Sequence, residues 1–169
     1  MPSITKKSKI VFLRNFVFGV EDSLVSTVGL LAGIAAADVP RATIFLTGAI
    51  LVIVEAFSMG VGSLLSEESI EEYEGRKKPS ESRSFAGGAI MFFSYIIAGL
   101  IPLVPYAFLE RTEALPMSIA GSLGGLFLLG YISARRFNGK PFRTGMRMFL
   151  LGGLAILAGV VVGLVFKIG

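Results

Sequence analysis

Two acidic residues, Asp22 and Glu55, lie inside long apolar stretches of the chain, and Met59 follows Glu55 by four residues. A charged side chain at the centre of a bilayer costs at least about 2.5–3.5 kcal/mol, so such residues usually have a function. Residues four apart share one face of a helix, and a carboxylate with a thioether suits a first-row transition metal. We therefore predict a metal site inside the membrane at Asp22, Glu55 and Met59.

The elements that hold these residues are predicted from hydropathy. Hydrophobic residues make up 53% of the 169, with 21 glycines in addition, and the mean hydropathy is +0.76. A bilayer core of about 30 Å needs about 20 helical residues. The apolar runs predict an all-α polytopic membrane protein with one transmembrane domain over residues 1–169. Its five transmembrane helices are expected at about 11–37, 42–65, 85–109, 116–134 and 148–166, with residues 66–84 as a short acidic and basic cytoplasmic loop.

The basic residues predict the orientation of the chain. With the N-terminus inside, the segments on the cytoplasmic side contain most of the 16 lysines and arginines. The positive-inside rule then predicts an N-in, C-out topology. The net charge of +4 is therefore interpreted first as a topology signal and second as a source of contacts with anionic lipids. We expect no nucleic-acid partner. The N-terminus resembles a secretory signal peptide, but its apolar run is too long and is interrupted by Glu21. We therefore expect an uncleaved first helix.

The chain contains no cysteine and no histidine. Thiolate chemistry and an imidazole base are therefore excluded, and a metal site is restricted to carboxylate, thioether, hydroxyl, amide and backbone oxygen ligands. No pairing of a nucleophile with a base is visible. We expect no enzyme activity and no tightly bound cofactor.

One face of helix 1 carries small and polar residues, Asn15, Asp22, Ser26, Gly29 and Gly33. Such faces pack helices against each other in membranes, and packing alone is the first interpretation of the two glycines. Asp22 lies eleven residues from the inner end of predicted helix 1, and Glu55 lies ten from that of predicted helix 2. At about 1.5 Å per residue, both carboxylates lie about 15 Å from those ends and can share one site.

An acidic run follows predicted helix 2. It is interpreted either as a solvated, charge-balanced helix end or as a carboxylate funnel that gathers cations at the cytoplasmic mouth. In the first case its charges lie in high dielectric beyond the bilayer. Its acidic members are Glu67, Glu68, Glu71, Glu72 and Glu74.

Two stretches of the sequence are similar to the signatures of a known family. Residues 20–27, VEDSLVST, resemble the "DGLV[ST]" signature in the first helix of vacuolar iron transporters. Residues 55–62, EAFSMGVG, resemble the "A-x-S-M-x-x-G-E-Y" signature in the second helix of that family. The region between Pro102 and Pro105 and residues 128–135, LLGYISAR, are also similar to family sequences, so the resemblance covers nearly the whole chain.

The resemblance implies a homodimer that exports Fe²⁺, and often Mn²⁺, from the cytosol in exchange for protons. It implies that the metal path lies at the dimer interface and that Asp22, Glu55 and Met59 of both protomers form it. We expect pairing through helix 1, in a plasma membrane if the source is prokaryotic or in a vacuolar or other organelle membrane if it is eukaryotic. Lower-ranked metal candidates are Glu21, Ser26, Glu67, Glu68, Glu71 and Glu72.

The chain departs from the family pattern in three places. Ser23 replaces the glycine after the signature aspartate, and Gly62-Ser63-Leu64 replaces the closing "G-E-Y", so one expected carboxylate is missing. The large cytoplasmic metal-binding domain between helices 2 and 3 is absent, and the acidic run is its only candidate substitute.

The leading hypothesis is a divalent-metal/proton exchanger. Carboxylates suit Fe²⁺ and Mn²⁺, while a thioether disfavours Mg²⁺ and Ca²⁺. Burial favours the neutral form of an acid, so Asp22 and Glu55 can accept protons when the metal leaves. The alternatives are a carrier for another cation such as Co²⁺ or Zn²⁺, an uncoupled pathway, and a non-transporting membrane protein whose acids bind a partner helix.

Overall fold

The computed structural model describes residues 6–73, 81–136 and 139–166, and these form five long α-helices. Each helix is long and apolar enough to cross a membrane. The predicted all-α membrane protein with five spans is therefore confirmed, and the chain is an integral membrane protein. The helices are α1 (Lys6–Ala36), α2 (Arg41–Tyr73), α3 (Glu81–Phe108), α4 (Arg111–Arg136) and α5 (Pro141–Val165).

Each observed helix begins before the apolar run that predicted it, and α2 and α4 also end after theirs. Hydropathy marks only the apolar part of a helix, whereas the helix continues for as long as its backbone hydrogen bonds form. In the segment predicted as a loop, residues 66–73 belong to α2 and residues 81–84 belong to α3. The acidic run is therefore helical as far as Tyr73. Helix α3 likewise continues through Pro102 and Pro105 and ends at Phe108.

Helix α1 is the centre of the bundle and packs against each of the other four helices. Around it, α2 packs on α3, α3 on α4, and α4 on α5, so these four form an arc with α2 and α5 at its ends. A mostly apolar groove of about 560 Å³ runs between α1, α2 and α5, lined among others by Leu30, Leu51 and Val162. We call it the α2–α5 groove. It gives access to α1 from outside the protomer.

Close backbone packing of α1 on α5 forms one side of this groove. A Cβ added at Gly33 would lie 2.6 Å from the carbonyl oxygen of Gly159, and one added at Gly29 would lie 3.3 Å from that of Ala155. Any side chain at Gly163 would collide with the carbonyl of Gly33. The interpretation of Gly29 and Gly33 as packing residues is confirmed, and their partner is α5 of the same chain.

The bundle has two chemically different ends. One, here called the basic end, carries the start of α1, the end of α2 and the starts of α3 and α5, and its described basic residues include Arg14, Arg83 and Arg143. The other, the turn end, carries the α1–α2 and α3–α4 turns. There Arg111 pairs with Asp38 and donates a 3.3 Å hydrogen bond to the carbonyl of Ala35, which ties the two turns together.

Candidate metal site between α1 and α2

A stripe of functional side chains runs along α2 at four-residue steps. Consecutive members lie about 40° apart around the helix, so the stripe winds slowly along the face that packs on α1 and on the neighbouring end of α3. It leads from the middle of α2 to the basic end. Its members, here called the α2 stripe, are Glu55, Met59, Ser63, Glu67 and Glu71.

The two carboxylates predicted to share a site do converge. Asp22 on α1 and Glu55 on α2 are both half-buried and lie close enough to interact electrostatically. The hydroxyl of Tyr95 on α3 interacts with both acids. Ser26, a lower-ranked metal candidate, lies 2.7 Å from the same hydroxyl, Oγ to Oη. Three helices therefore bring polar groups close together, and Tyr95 is one that sequence reasoning missed.

Glu21, the acid before Asp22, has a different environment. It is half-buried and interacts electrostatically with Asp22 and with Arg147 of α5. The guanidinium of Arg147 offsets its charge, whereas no cation is found near Asp22 among the interactions of the described residues. Asp22 is thus the better placed of the two to compensate the charge of a bound metal.

Met59, one turn from Glu55, lines a second groove between α1, α2 and α3. This groove measures about 610 Å³ and opens towards the basic end, where Arg14 lines it. Next to Met59, the amide nitrogen of Asn15 donates a 2.8 Å hydrogen bond to Oγ of Ser63. The position where the family signature has a carboxylate therefore holds a hydroxyl that is paired with α1. We call this cavity the Met59 groove.

Two members of the acidic run are buried, so neither interpretation of the run, a solvated helix end or an open cation funnel, describes these two residues. Glu67 is 2% exposed and Glu71 is 0% exposed. Arg14 Nη2 donates to Glu67 Oε1 at 2.5 Å, and Arg83 forms an ion pair with Glu71. The reason is that α2 continues past the apolar run and packs its stripe against the ends of α1 and α3. These two acids are already paired with arginines, so they do not form an open cation funnel.

The rest of the run differs from these two residues. Glu68 is half-buried and Glu72 is exposed, so both remain accessible to cations. Glu74 lies outside the described residues. The carboxylates open to solvent are therefore fewer than the sequence predicts.

The acids of one chain do not complete a metal site by themselves. Within residues 6–73, 81–136 and 139–166, no group of three or more Asp, Glu, His or Cys side chains is placed to hold a metal ion. Asp22 and Glu55 provide two carboxylates, Met59 follows Glu55 by one helical turn, and Tyr95 interacts with both acids. Further ligands would have to come from water or from a second copy.

Comparison with known proteins identifies the family. The model of the VIT family matches residues 13–87 and 71–164, and the two matches overlap across the α2–α3 connection. Together they cover most of the chain. The chain belongs to the VIT family. This VIT-family chain therefore carries its two acids in the part of the sequence that the family model describes.

Relatives of this VIT-family chain are known in plants. Vacuolar iron transporter 2 of Oryza sativa subsp. japonica is 23% identical over 206 aligned residues, which cover 86% of this chain and 84% of the relative. Vacuolar iron transporter 1 of the same species is 33% identical over 85 residues, or 50% of this chain and 34% of the relative. Vacuolar iron transporter homolog 3 of Arabidopsis thaliana is 27% identical over 86% of this chain and 78% of the relative.

The polar face of helix 1 makes most of its contacts within the protomer. Asn15 bonds to α2, Ser26 bonds to α3, and Gly29 and Gly33 pack on α5. Only Asp22 and its half-buried neighbours remain partly accessible beside the α2–α5 groove. Periodicity identifies the face but does not show which helix lies opposite each residue, and pairing of two copies through helix 1 stays a prediction.

Proposed function

We propose that this VIT-family chain is a transporter of divalent transition metals, with Fe²⁺ and Mn²⁺ as substrates. The observation that carries the proposal is the convergence of Asp22 and Glu55, half-buried in the middle of two membrane-spanning helices. Carboxylates at that depth are expensive and are retained where an ion passes. Relatives named vacuolar iron transporters support iron as the cargo.

The direction of transport is proposed to be out of the cytosol, in exchange for protons. The basic end faces the cytosol by the positive-inside rule, so metal enters along the Met59 groove and reaches Asp22 and Glu55. Two adjacent carboxylates repel each other when both are charged, and a divalent ion removes that repulsion. Protons replace the metal as it leaves, which resets the site. A single pair of acids then couples both fluxes.

A homodimer is proposed to complete the site. Three ligands from each protomer, Asp22, Glu55 and Met59, would give six around a two-fold axis, which suits an octahedral ion. The α2–α5 groove beside α1 is the surface through which two copies would meet. Its lining is mostly apolar, and Ser26 and the α1 glycines lie at its base.

The function is tested by metal flux into proteoliposomes that contain a metal-sensitive dye. The native chain should transport Fe²⁺ and Mn²⁺, and an opposing proton gradient should accelerate the flux. Asp22→Asn should abolish transport, whereas Glu113→Gln, at an exposed acid of α4, should leave it unchanged. Absence of flux in the native chain, or equal flux in both variants, would contradict the proposal and favour a non-transporting role for the acids.

A further inference from the structure

The Met59 groove contains a second thioether that belongs to a different helix. Met91 on α3 lines the groove together with Met59 on α2, and the hydrogen-bonded pair Asn15 and Ser63 lines it as well. Met91 is only 4% exposed, so its side chain is enclosed by protein and does not face lipid. Two sulfur atoms and two oxygen-bearing side chains thus line one cavity next to the carboxylate pair.

The local structure of α1 makes room for Met91. A Cβ at Gly19 would lie 3.2 Å from Sδ of Met91 and would collide with Oγ of Ser94. Glycine at this position therefore lets the thioether rest against the α1 backbone. Met91 is consequently a packed side chain and not a flexible surface methionine.

The oxygen atoms of the groove are neutral and oriented. Asn15 is 1% exposed and is held by its 2.8 Å bond to Ser63 Oγ. A buried amide without a partner costs about 1–3 kcal/mol, so this pairing keeps both side chains in place. Because the amide nitrogen donates that bond to Ser63 Oγ, the carbonyl oxygen of Asn15 and the remaining lone pair of Ser63 are the acceptors left for a cation.

We propose that Asn15, Met59, Ser63 and Met91 form a second, uncharged cation subsite between the basic end and the Asp22–Glu55 pair. The inference rests on the proposed function and deepens it, because it assigns a stopping point on the path. Met59 is one turn from Glu55, so an ion held here lies about 6 Å along the helix from the carboxylate level. Met59 is a ligand in both sites, so it stays in contact with the ion as the ion moves from the subsite to the carboxylates.

The ligand set determines what this subsite selects and how tightly it binds. Two thioethers favour softer transition ions and disfavour Mg²⁺ and Ca²⁺, which prefer all-oxygen sites. Neutral ligands do not compensate the charge of a divalent ion, so binding is weak and release is fast. A transport path requires binding that is favourable enough for entry and weak enough for exit. The subsite therefore acts as a filter and relay, and the carboxylates act as the tight site.

The direct test uses Cd²⁺ binding to the purified chain in which both Asp22→Asn and Glu55→Gln have been introduced. This background should still bind Cd²⁺. Adding Met91→Leu, which keeps the side-chain volume, should weaken binding about tenfold. Adding Met117→Leu, at a methionine that is 57% exposed on α4, should change nothing. Equal binding by the two leucine variants would overturn the subsite.

A second variant separates a ligand role from a packing role. Met91→Gln keeps a similar length but replaces sulfur with an amide oxygen, so it should lower the preference for Cd²⁺ over Mn²⁺ in the same background. A residue that only fills space would lower binding of both ions equally, and that result would also overturn the proposal. Thermal denaturation of each variant verifies folding.

Flux measurements keep this inference distinguishable from the proposed function. In the otherwise native chain, Met91→Leu should raise the half-saturation concentration for Fe²⁺, and its effect should depend on whether Met59→Leu is also present. If Asp22→Asn abolished transport while Met91→Leu kept the native half-saturation concentration, the subsite would be rejected and the transporter function retained. Cd²⁺ binding is measured whether or not flux is found, so absence of flux does not leave the subsite untested.

Discussion

Arg14 Nη2 on α1 lies 2.5 Å from Glu67 Oε1 on α2, and Glu67 is almost completely buried although Arg14 remains more than half exposed. The ion pair lies where the Met59 groove reaches the basic end, since Arg14 lines that groove. A buried carboxylate without a cation is strongly unfavourable. The pair therefore fixes the end of α2 against α1 beside the proposed entrance.

Arg14→Gln should destabilise the protein, because it leaves Glu67 buried without its cation. We expect a loss of about 1–3 kcal/mol in the free energy of unfolding, seen as a lower Tm in detergent. Arg14→Gln combined with Glu67→Gln should recover part of that loss, since no buried charge remains. Arg135→Gln, at an exposed arginine of the same end, is the control. A Tm for Arg14→Gln equal to that of the control would show that the pair contributes little.

Glu55→Gln should reduce transport more than Met59→Leu does. The carboxylate compensates the charge of the metal and accepts the proton, whereas the thioether is a weaker, neutral contact. Met59→Leu should mainly change which metals are carried. Initial rates with Fe²⁺, Mn²⁺ and Co²⁺ measure this, and equal losses with unchanged selectivity would contradict the division of roles.

The open part of the acidic run should affect metal capture and not translocation. Replacing Glu68 and Glu72 with glutamine should raise the half-saturation concentration for metal, most clearly at low ionic strength, because salt screens exposed charges. The maximal rate should remain near the native value. Glu67 and Glu71 are left unchanged, since they are paired with arginines. Loss of flux at saturating metal would place these two accessible acids in the essential site.

The glycine contacts between α1 and α5 should be essential for packing. Gly163→Ala places a methyl group against the carbonyl of Gly33, so we expect destabilisation of about 1–3 kcal/mol. The matched control is Gly153→Ala on the same helix, where an added Cβ meets no atom within 4 Å. Thermal denaturation of both variants in detergent tests this. Equal Tm values for Gly163→Ala and Gly153→Ala would contradict the prediction that close packing of α1 on α5 stabilises the protein.

The proposed dimer predicts cross-linking along the α2–α5 groove. The chain has no cysteine, so a single cysteine can be introduced without background. Leu30→Cys, in the groove, should form a disulfide-linked dimer in membranes, whereas Leu128→Cys, at an exposed position of α4, should not. Cross-linking of Leu128→Cys alone would place the interface elsewhere.

The five spans and the acids within them follow from the sequence by local rules. Hydropathy depends on composition over about 20 residues, and a shared helix face depends on spacing within a few turns. Asp22, Glu55 and Met59 were therefore found without a structure, and the same spacing, applied beyond the apolar run, would have revealed the whole α2 stripe. The metal role of these residues stays a prediction.

Only the tertiary structure decided which polar groups meet. Glu67 is paired with an arginine 53 positions away, and Ser26 contacts a tyrosine 69 positions away. The four-residue spacing puts Glu67 and Glu72 on different faces of α2, but it does not show that the face of Glu67 is buried and that of Glu72 is exposed. That difference depends on where the ends of α1 and α3 lie. Met91 and Tyr95 were missed for the same reason, because they come close to residues of α1 and α2 only when α3 packs beside those helices.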